Sequence, residues 1–225
     1  GFYFDKVLTK PLDRDYTGFN VTLEIGEDGG LQVEGSHRFF GLRGSYRSLY
    51  RDPRDRDMMI ESMLNSLFSS PTLEEVEFFN LDDVDELFYY TFRLTAPNYA
   101  KVEGEELVFS ALPGQFGLTS AYINSKERRW PLKLTRTETM RDSVVVKLPP
   151  DFEVVSLPPD LHLEEYFGEY ELSFRQEGGG VYIERYLHLN RKTIKVSDYD
   201  KFINFCARVD EAEKGNIRIK PKGSH

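Results

Sequence analysis

The sequence predicts a mainly β, α+β protein, with antiparallel sheets stacked as in a sandwich and two helices laid on them. Three observations carry that expectation. Apolar and polar residues alternate over several short stretches, turns rich in Gly and Pro separate them, and aromatics make up 14% of the chain, with 17 Phe and 13 Tyr. Aromatic side chains suit a pleated, half-buried surface.

The elements follow in chain order. Phe19, Val21, Leu23 and Ile25 fall on one side of a segment whose other side is Asn20, Thr22 and Glu24. That is the period of a strand with one buried face. Glu27-Asp28-Gly29-Gly30 supplies residues that tolerate positive φ, and Leu31, Val33 and Gly35 start the return strand, so residues 19–40 read as a hairpin. Asp52 suits an N-cap, and Pro53 suits a first helical position that needs no N–H. Ile60, Met63, Leu64, Leu67 and Phe68 follow at helical spacing, which predicts a helix over 53–68, and Pro71 closes it. Strand character resumes over 73–81, 87–94, 106–111 and 143–148.

The second half repeats this order. Tyr170, Leu172 and Phe174 alternate with Glu171, Ser173 and Arg175, Gly178-Gly179-Gly180 turns the chain, and Val181 and Ile183 return it. Ser197 is expected to cap a helix over 198–209, with Asp198 and Asp200 near its positive dipole end. Phe202, Ile203, Cys206 and Val209 form its apolar stripe, and Ile217 and Ile219 open a last strand. Hairpin, helix and strand thus recur at 19–79 and 170–219, which points to two related units. With the proline pairs at 149–150 and 158–159 as punctuation, the expected division is a first β-rich domain over 1–140 and a second over 141–225.

The net charge of −9 argues against a nucleic-acid binder, which needs a basic face for phosphates. No run of 18 apolar residues is present to span a membrane. Gly1 in place of an initiating Met suits a piece excised from a longer protein, and the tail Lys222-Gly223-Ser224-His225 reads as a tag remnant. A single cysteine allows no internal disulfide and no cysteine-built zinc site.

Several residues invite chemistry. Cys206 is the sole thiol, yet it falls mid-helix on the apolar stripe, whereas activated thiols sit at helix N-termini or beside cations. His37, His162, His188 and His225 show no metal-ligand spacing, and His188 reads as a hydrogen-bonded strand residue. Asp82, Asp83, Asp85 and Glu86 lack the spacing and glycine of a calcium loop. Arg43, Arg47 and Arg51 would share one face of a helix and could clamp a carboxylate or phosphate, although Asp52, Asp55 and Asp57 offer local pairing instead. No motif calls for a cofactor or metal.

The order of several short motifs resembles a known family. Phe19-Asn20-Val21-Thr22-Leu23, Asp28-Gly29-Gly30-Leu31, Gly41-Leu42-Arg43 and Asn80-Leu81-Asp82-Asp83 are similar to the region after the catalytic core of bacterial transglutaminase-like proteins. Arg129-Trp130-Pro131-Leu132, Leu148-Pro149-Pro150, Val154-Val155-Ser156-Leu157-Pro158 and Glu184-Arg185-Tyr186-Leu187-His188-Leu189 continue the resemblance over residues 17–220. What it implies is a C-terminal β module of a periplasmic or cell-envelope protein, partnered by an upstream thiol-enzyme domain of the same polypeptide. That enzyme needs a Cys at a helix start with downstream His and Asp, so no catalytic residue carries over to this chain. The expectation is therefore a non-catalytic accessory module that shapes or presents substrate. The rivals are a peptide- or glycan-binding module using exposed aromatics such as Tyr89, Tyr99 or Tyr122, and a carboxylate-based hydrolase.

Overall fold

The computed structural model describes residues 16–223, apart from the side chains of residues 41–45. The chain runs β1 (Thr17–Ile25), β2 (Leu31–Phe39), a 3-10 helix (Gly41–Tyr50), α1 (Pro53–Leu67), β3 (Thr72–Phe79), β4 (Phe88–Ala96), β5 (Lys101–Glu103), β6 (Glu106–Ser110), α2 (Leu118–Tyr122), β7 (Leu132–Lys133) and β8 (Glu138–Lys147). It continues through β9 (Phe152–Ser156), β10 (Leu161–Glu165), β11 (Gly168–Glu177), β12 (Gly180–Leu189), β13 (Thr193–Ile194), a 3-10 turn (Val196–Asp198), α3 (Tyr199–Ala212) and β14 (Asn216–Pro221). An eight-stranded sheet has the order β10-β11-β12-β8-β1-β2-β4-β3, a four-stranded sheet the order β5-β6-β14-β9, and β7 pairs with β13. The mainly β, α+β class holds, with one parallel contact, β1 against β8, among antiparallel ones.

Local chemistry accounts for the elements. The β1–β2 turn holds Gly29 at φ 80° and closes an Asx turn in which Gly30 N donates to Asp28 Oδ1 at 2.9 Å. Gly178 and Gly179, both at positive φ, join β11 to β12. Asp52 caps α1 by accepting from Arg54 N at 2.9 Å, with Pro53 in the first position. Ser197 does not cap α3: it sits inside the 3-10 turn, and α3 begins at Tyr199 with no side-chain cap.

One face of the large sheet is apolar and forms the core. Val21, Leu23, Val33, Phe88, Leu94, Val144, Val146, Val181, Ile183 and Leu187 are buried there in register. Gly35 is fixed by this packing, since a Cβ would meet the Phe92 ring at 2.5 Å and Val21 Cγ1 at 2.7 Å. Ile60, Leu64 and Phe68 bury the stripe of α1, and Tyr90 Oη donates to Met63 Sδ at 3.0 Å beneath it. Phe202 and Phe205 of α3 meet the Phe167 ring edge to face, at 5.2 and 5.5 Å between centroids. Each such side chain, fully buried, contributes about 1.5–3 kcal/mol.

Three charged groups lie inside this apolar layer. Arg185 on β12 donates from Nε and Nη2 to Asp142 Oδ2 on β8, at 3.0 and 2.5 Å. Its Nη1 donates to Glu213 Oε1 at 3.1 Å and to the Gly114 carbonyl at 2.7 Å. Phe116 N donates to Glu213 Oε2 at 2.6 Å, and Tyr170 Oη to Oε1 at 3.2 Å. Asp142 Oδ1 accepts from Phe19 N at 3.1 Å. The guanidinium also lies 3.9 Å from the Phe116 ring centroid. Burial pushes the Glu213 carboxyl above the usual carboxylate range, with Arg185 and the donors of Phe116 and Tyr170 pulling against it.

The division expected at 140/141 does not separate two sheets. It falls within β8, which bonds to β1 on one side and β12 on the other, so strands of both halves share one hydrogen-bonded sheet. The two hairpin–helix–strand units also close differently. β3 returns beside β4 in the large sheet, whereas β14 enters the four-stranded sheet between β6 and β9. The described residues include a third, short helix, α2, absent from the sequence expectation. No helix among them is long and apolar enough to cross a membrane.

Two predictions follow from this core. Replacing Arg185 by Met leaves two buried carboxylates uncompensated and should lower stability by about 3–5 kcal/mol in a denaturant titration. A loss below about 1 kcal/mol would remove the triad from its structural role. His37, packed against Phe39 at 4.2 Å between ring centroids and bonded through Nδ1 to Tyr90 Oη at 3.0 Å, has its pKa drawn down to about 4 by burial. The unfolded chain takes up this proton near pH ~6.5, so this group's contribution is complete above that pH and is lost on acidification towards 4. His37→Phe should flatten the pH dependence of the unfolding midpoint across that window, and parallel curves for the two proteins would count against it.

Candidate ligand cleft on the outer sheet face

The opposite face of the large sheet is polar, and its side chains lie in cross-strand rows. Thr22, Glu34, Arg93 and Glu75 form one row across β1, β2, β4 and β3, and Asn20, Ser36, Thr91 and Glu77 form the next. Between them lies a cleft of about 400 Å³. A bulge between Leu73 and Glu75 makes this possible. The sequence Leu73-Glu74-Glu75-Val76 doubles a polar residue and breaks the alternation, and the extra residue of a bulge restores it. Val76 and Phe78 then face the core, while Glu75 and Glu77 face the cleft.

Arg93 fixes the electrostatics of the row. Its Nε donates to Glu34 Oε1 at 3.1 Å and its Nη1 to Glu75 Oε2 at 3.0 Å, so two carboxylates are held on one cation. In the third row Arg38 reaches the cleft, while the Phe79 and Tyr89 rings stack on each other beside it, 4.5 Å apart and 5° from parallel. The cleft therefore offers hydroxyls, an amide, exposed carboxylates and guanidinium groups, which suits a hydrogen-bonding ligand lying across the strands.

Of the three arginines singled out in the sequence, Arg47 and Arg51 are engaged within the chain. The Arg43 side chain lies outside the described residues. Arg47 is buried and donates to the carbonyls of Asn80, at 3.2 Å, and Glu86, at 2.9 Å, tying down the acidic 80–87 loop. Arg51 is half exposed and pairs with Asp82 at 3.6 Å. The reason is geometric: this segment is a 3-10 helix, with about three residues per turn, so positions four apart do not share a face.

Cys206 is fully buried, and burial first, then Asp210, pushes its thiol up to about 12. His188 is held between Thr139 Oγ1 at 2.9 Å and Asn190 Oδ1 at 3.1 Å on the outer face. Tyr99 and Tyr122 are anchored by hydrogen bonds to the Ser110 carbonyl and Glu138, and Tyr89 is stacked, so among the described residues the most exposed aromatics are instead Trp130 and Tyr166. His162, Glu169 and Glu171 bring one ligand atom each within 4.8 Å of one another, the set among the described residues that could take a divalent cation. Sequence spacing did not reveal it, because His162 meets Glu171 only through the β10–β11 register.

The fold defines a mainly β module, a helix-backed sheet with a polar cleft on its other face. Residues 105–219 match the family described as a Domain of Unknown Function with a solved structure, DUF3858, and the chain belongs to that family. The match begins at the β5–β6 turn and ends in β14, so it takes in the four-stranded sheet's main strands and half of the large sheet. No curated protein matches the chain.

Labelling tests the sealed thiol. A maleimide or disulfide reagent should modify native Cys206 orders of magnitude more slowly than it does in denaturing urea, at a rate set by opening of the core. Equal rates in the two conditions would place the thiol at the surface.

Proposed function

We propose that this chain is a non-catalytic accessory module of a transglutaminase-like protein of the bacterial envelope, presenting substrate to a thiol-enzyme domain elsewhere in the same polypeptide. The observation that carries the reading is the state of its only thiol. Thiol catalysis needs an accessible thiolate, an adjacent base and an oxyanion site, whereas Cys206 is buried among Phe202, Phe205 and Val209 with its pKa raised to about 12. The cleft over β1, β2, β4 and β3 supplies a surface on which a peptide segment could lie, its main chain meeting Asn20, Thr22, Ser36 and Thr91. The resemblance of its motif order to transglutaminase-like proteins is what supports the assignment to that context and to the envelope.

The carboxylate-hydrolase alternative has less support. Glu34 and Glu75 share Arg93 as counter-ion, and Asp142 and Glu213 share Arg185 inside the core. Neither pair stands free in a deep pocket as an acid and a base would.

Amine-incorporation and peptide-cleavage assays on this chain and on its full gene product test the proposal. Activity is expected in the full product alone, unchanged by Cys206→Ala. Arg93→Ala in the full product should raise KM severalfold at constant kcat, because it releases two carboxylates into the cleft. Activity of the isolated chain that disappears with Cys206→Ala would overturn the reading, as would a full product inert towards both substrates.

A further inference from the structure

Trp130 is the chain's only tryptophan and is 77% exposed. Its segment runs along a second one. Leu132–Lys133 pairs with Thr193–Ile194, Leu134 N donates to the Lys192 carbonyl at 2.8 Å, and Tyr199 Oη donates to the Ser125 carbonyl at 2.8 Å. Arg128 lies over the Tyr199 ring, 5.5 Å from its centroid, and its Nε donates to the Trp130 carbonyl at 3.2 Å. Both segments are basic: residues 124–137 and 190–198 carry eight Lys and Arg against Glu127 and Asp198, in a chain of net charge −9.

Arg136 reaches Glu138 at 2.6 Å. Among the described residues, no carboxylate lies within ion-pair distance of Lys126, Arg129, Lys133, Arg191, Lys192 or Lys195. Elsewhere on the surface, cations such as Arg93 and Arg218 each hold two glutamates. Gathering like charges without counter-ions builds a positive potential that draws an anionic partner. An exposed, flat indole at its centre adds an apolar face with a polar edge.

We propose that this surface binds a carboxylated polysaccharide, with a pyranose ring stacked on Trp130 and carboxylates on the surrounding cations. The negative charge of the wider chain opposes any long polyanion, and a duplex, with one phosphate charge per ~1.7 Å of axis, far more than a glycan whose carboxylates are a sugar ring apart. A membrane anchor would need a broad apolar face, and only Pro131 and Val196 accompany Trp130 here. An acidic peptide would satisfy the cations without using the indole. The surface shares no residue with the cleft and does not rest on the accessory-module reading.

Trp130 fluorescence reads this site directly, since no other tryptophan contributes. Polygalacturonate should change the emission saturably at low salt, neutral dextran should not, and binding should weaken roughly tenfold or more between about 50 and about 200 mM salt. Arg129→Glu/Lys192→Glu/Lys195→Glu, with an unchanged circular dichroism spectrum, should lose roughly tenfold or more in affinity. Calorimetry on Trp130→Leu should show a further loss for the glycan and none for poly-glutamate. The proposal is overturned by an emission indifferent to polygalacturonate, by full affinity in the triple variant or in Trp130→Leu, or by tighter binding of poly-glutamate or phosphatidylglycerol vesicles than of the glycan.

Discussion

Arg185 is the group on which the most distant parts of this chain converge. Its guanidinium joins β12 to β8 through Asp142, to α3 through Glu213, and to the 113–118 loop through the Gly114 carbonyl. A charge in such a layer is expensive to desolvate, and it is tolerated because the donors and acceptors around it are filled on every side. That requirement fixes more than local geometry. Asp142 can serve Arg185 only while it also accepts from Phe19 N, so the parallel contact of β1 with β8 is tied to the same network. An apolar triad of equal volume would leave the N–H groups of Phe19 and Phe116 without acceptors, and the ionic solution therefore supplies register as well as energy.

The same helix extends the network outwards. Asp210, one turn from Glu213, accepts from the N–H groups of Leu118 and Thr119 at 2.7 and 2.9 Å. These are the orphan donors at the start of α2, whose own N-cap is Gly117, at φ 63° and without a side chain. α2 is too short to persist by itself. α3 thus organises the loop that it covers, and its apolar side buries Cys206 in doing so.

Function, on this account, is left to the surfaces that the core does not use. The bulge in β3 turns Glu75 and Glu77 out over the strands and leaves Val76 and Phe78 below. The pairing of β7 with β13 gathers the basic segments around Trp130 at a separate place. A chain with an overall negative charge thereby presents two chemically distinct faces, one a mixed hydrogen-bonding cleft and one a concentrated positive patch.

The sequence by itself determined the mainly β class, both hairpins with their Gly turns, α1 with its Asp52 cap, and the fate of the thiol. These rest on periodicities of two and 3.6 and on turn chemistry, which act over a few residues and leave a direct trace in the order of amino acids. It did not determine that β8 joins both halves in one sheet, nor that β14 leaves for another, because these strands pair across long stretches of chain, as Thr17 with Met140 and Asn216 with Ser110, and any alternating strand presents the same edge. The place of Arg47 was hidden for a related reason: the spacing of Arg43, Arg47 and Arg51 suits an α-helical face, whereas the segment winds as a 3-10 helix and Arg47 turns inward to backbone carbonyls that no sequence pattern marks. The Arg93 row, the His162 cluster and the basic patch are likewise products of cross-strand register. Only the tertiary structure decided them, since a charge finds its partner through space and the sequence records distance along the chain alone.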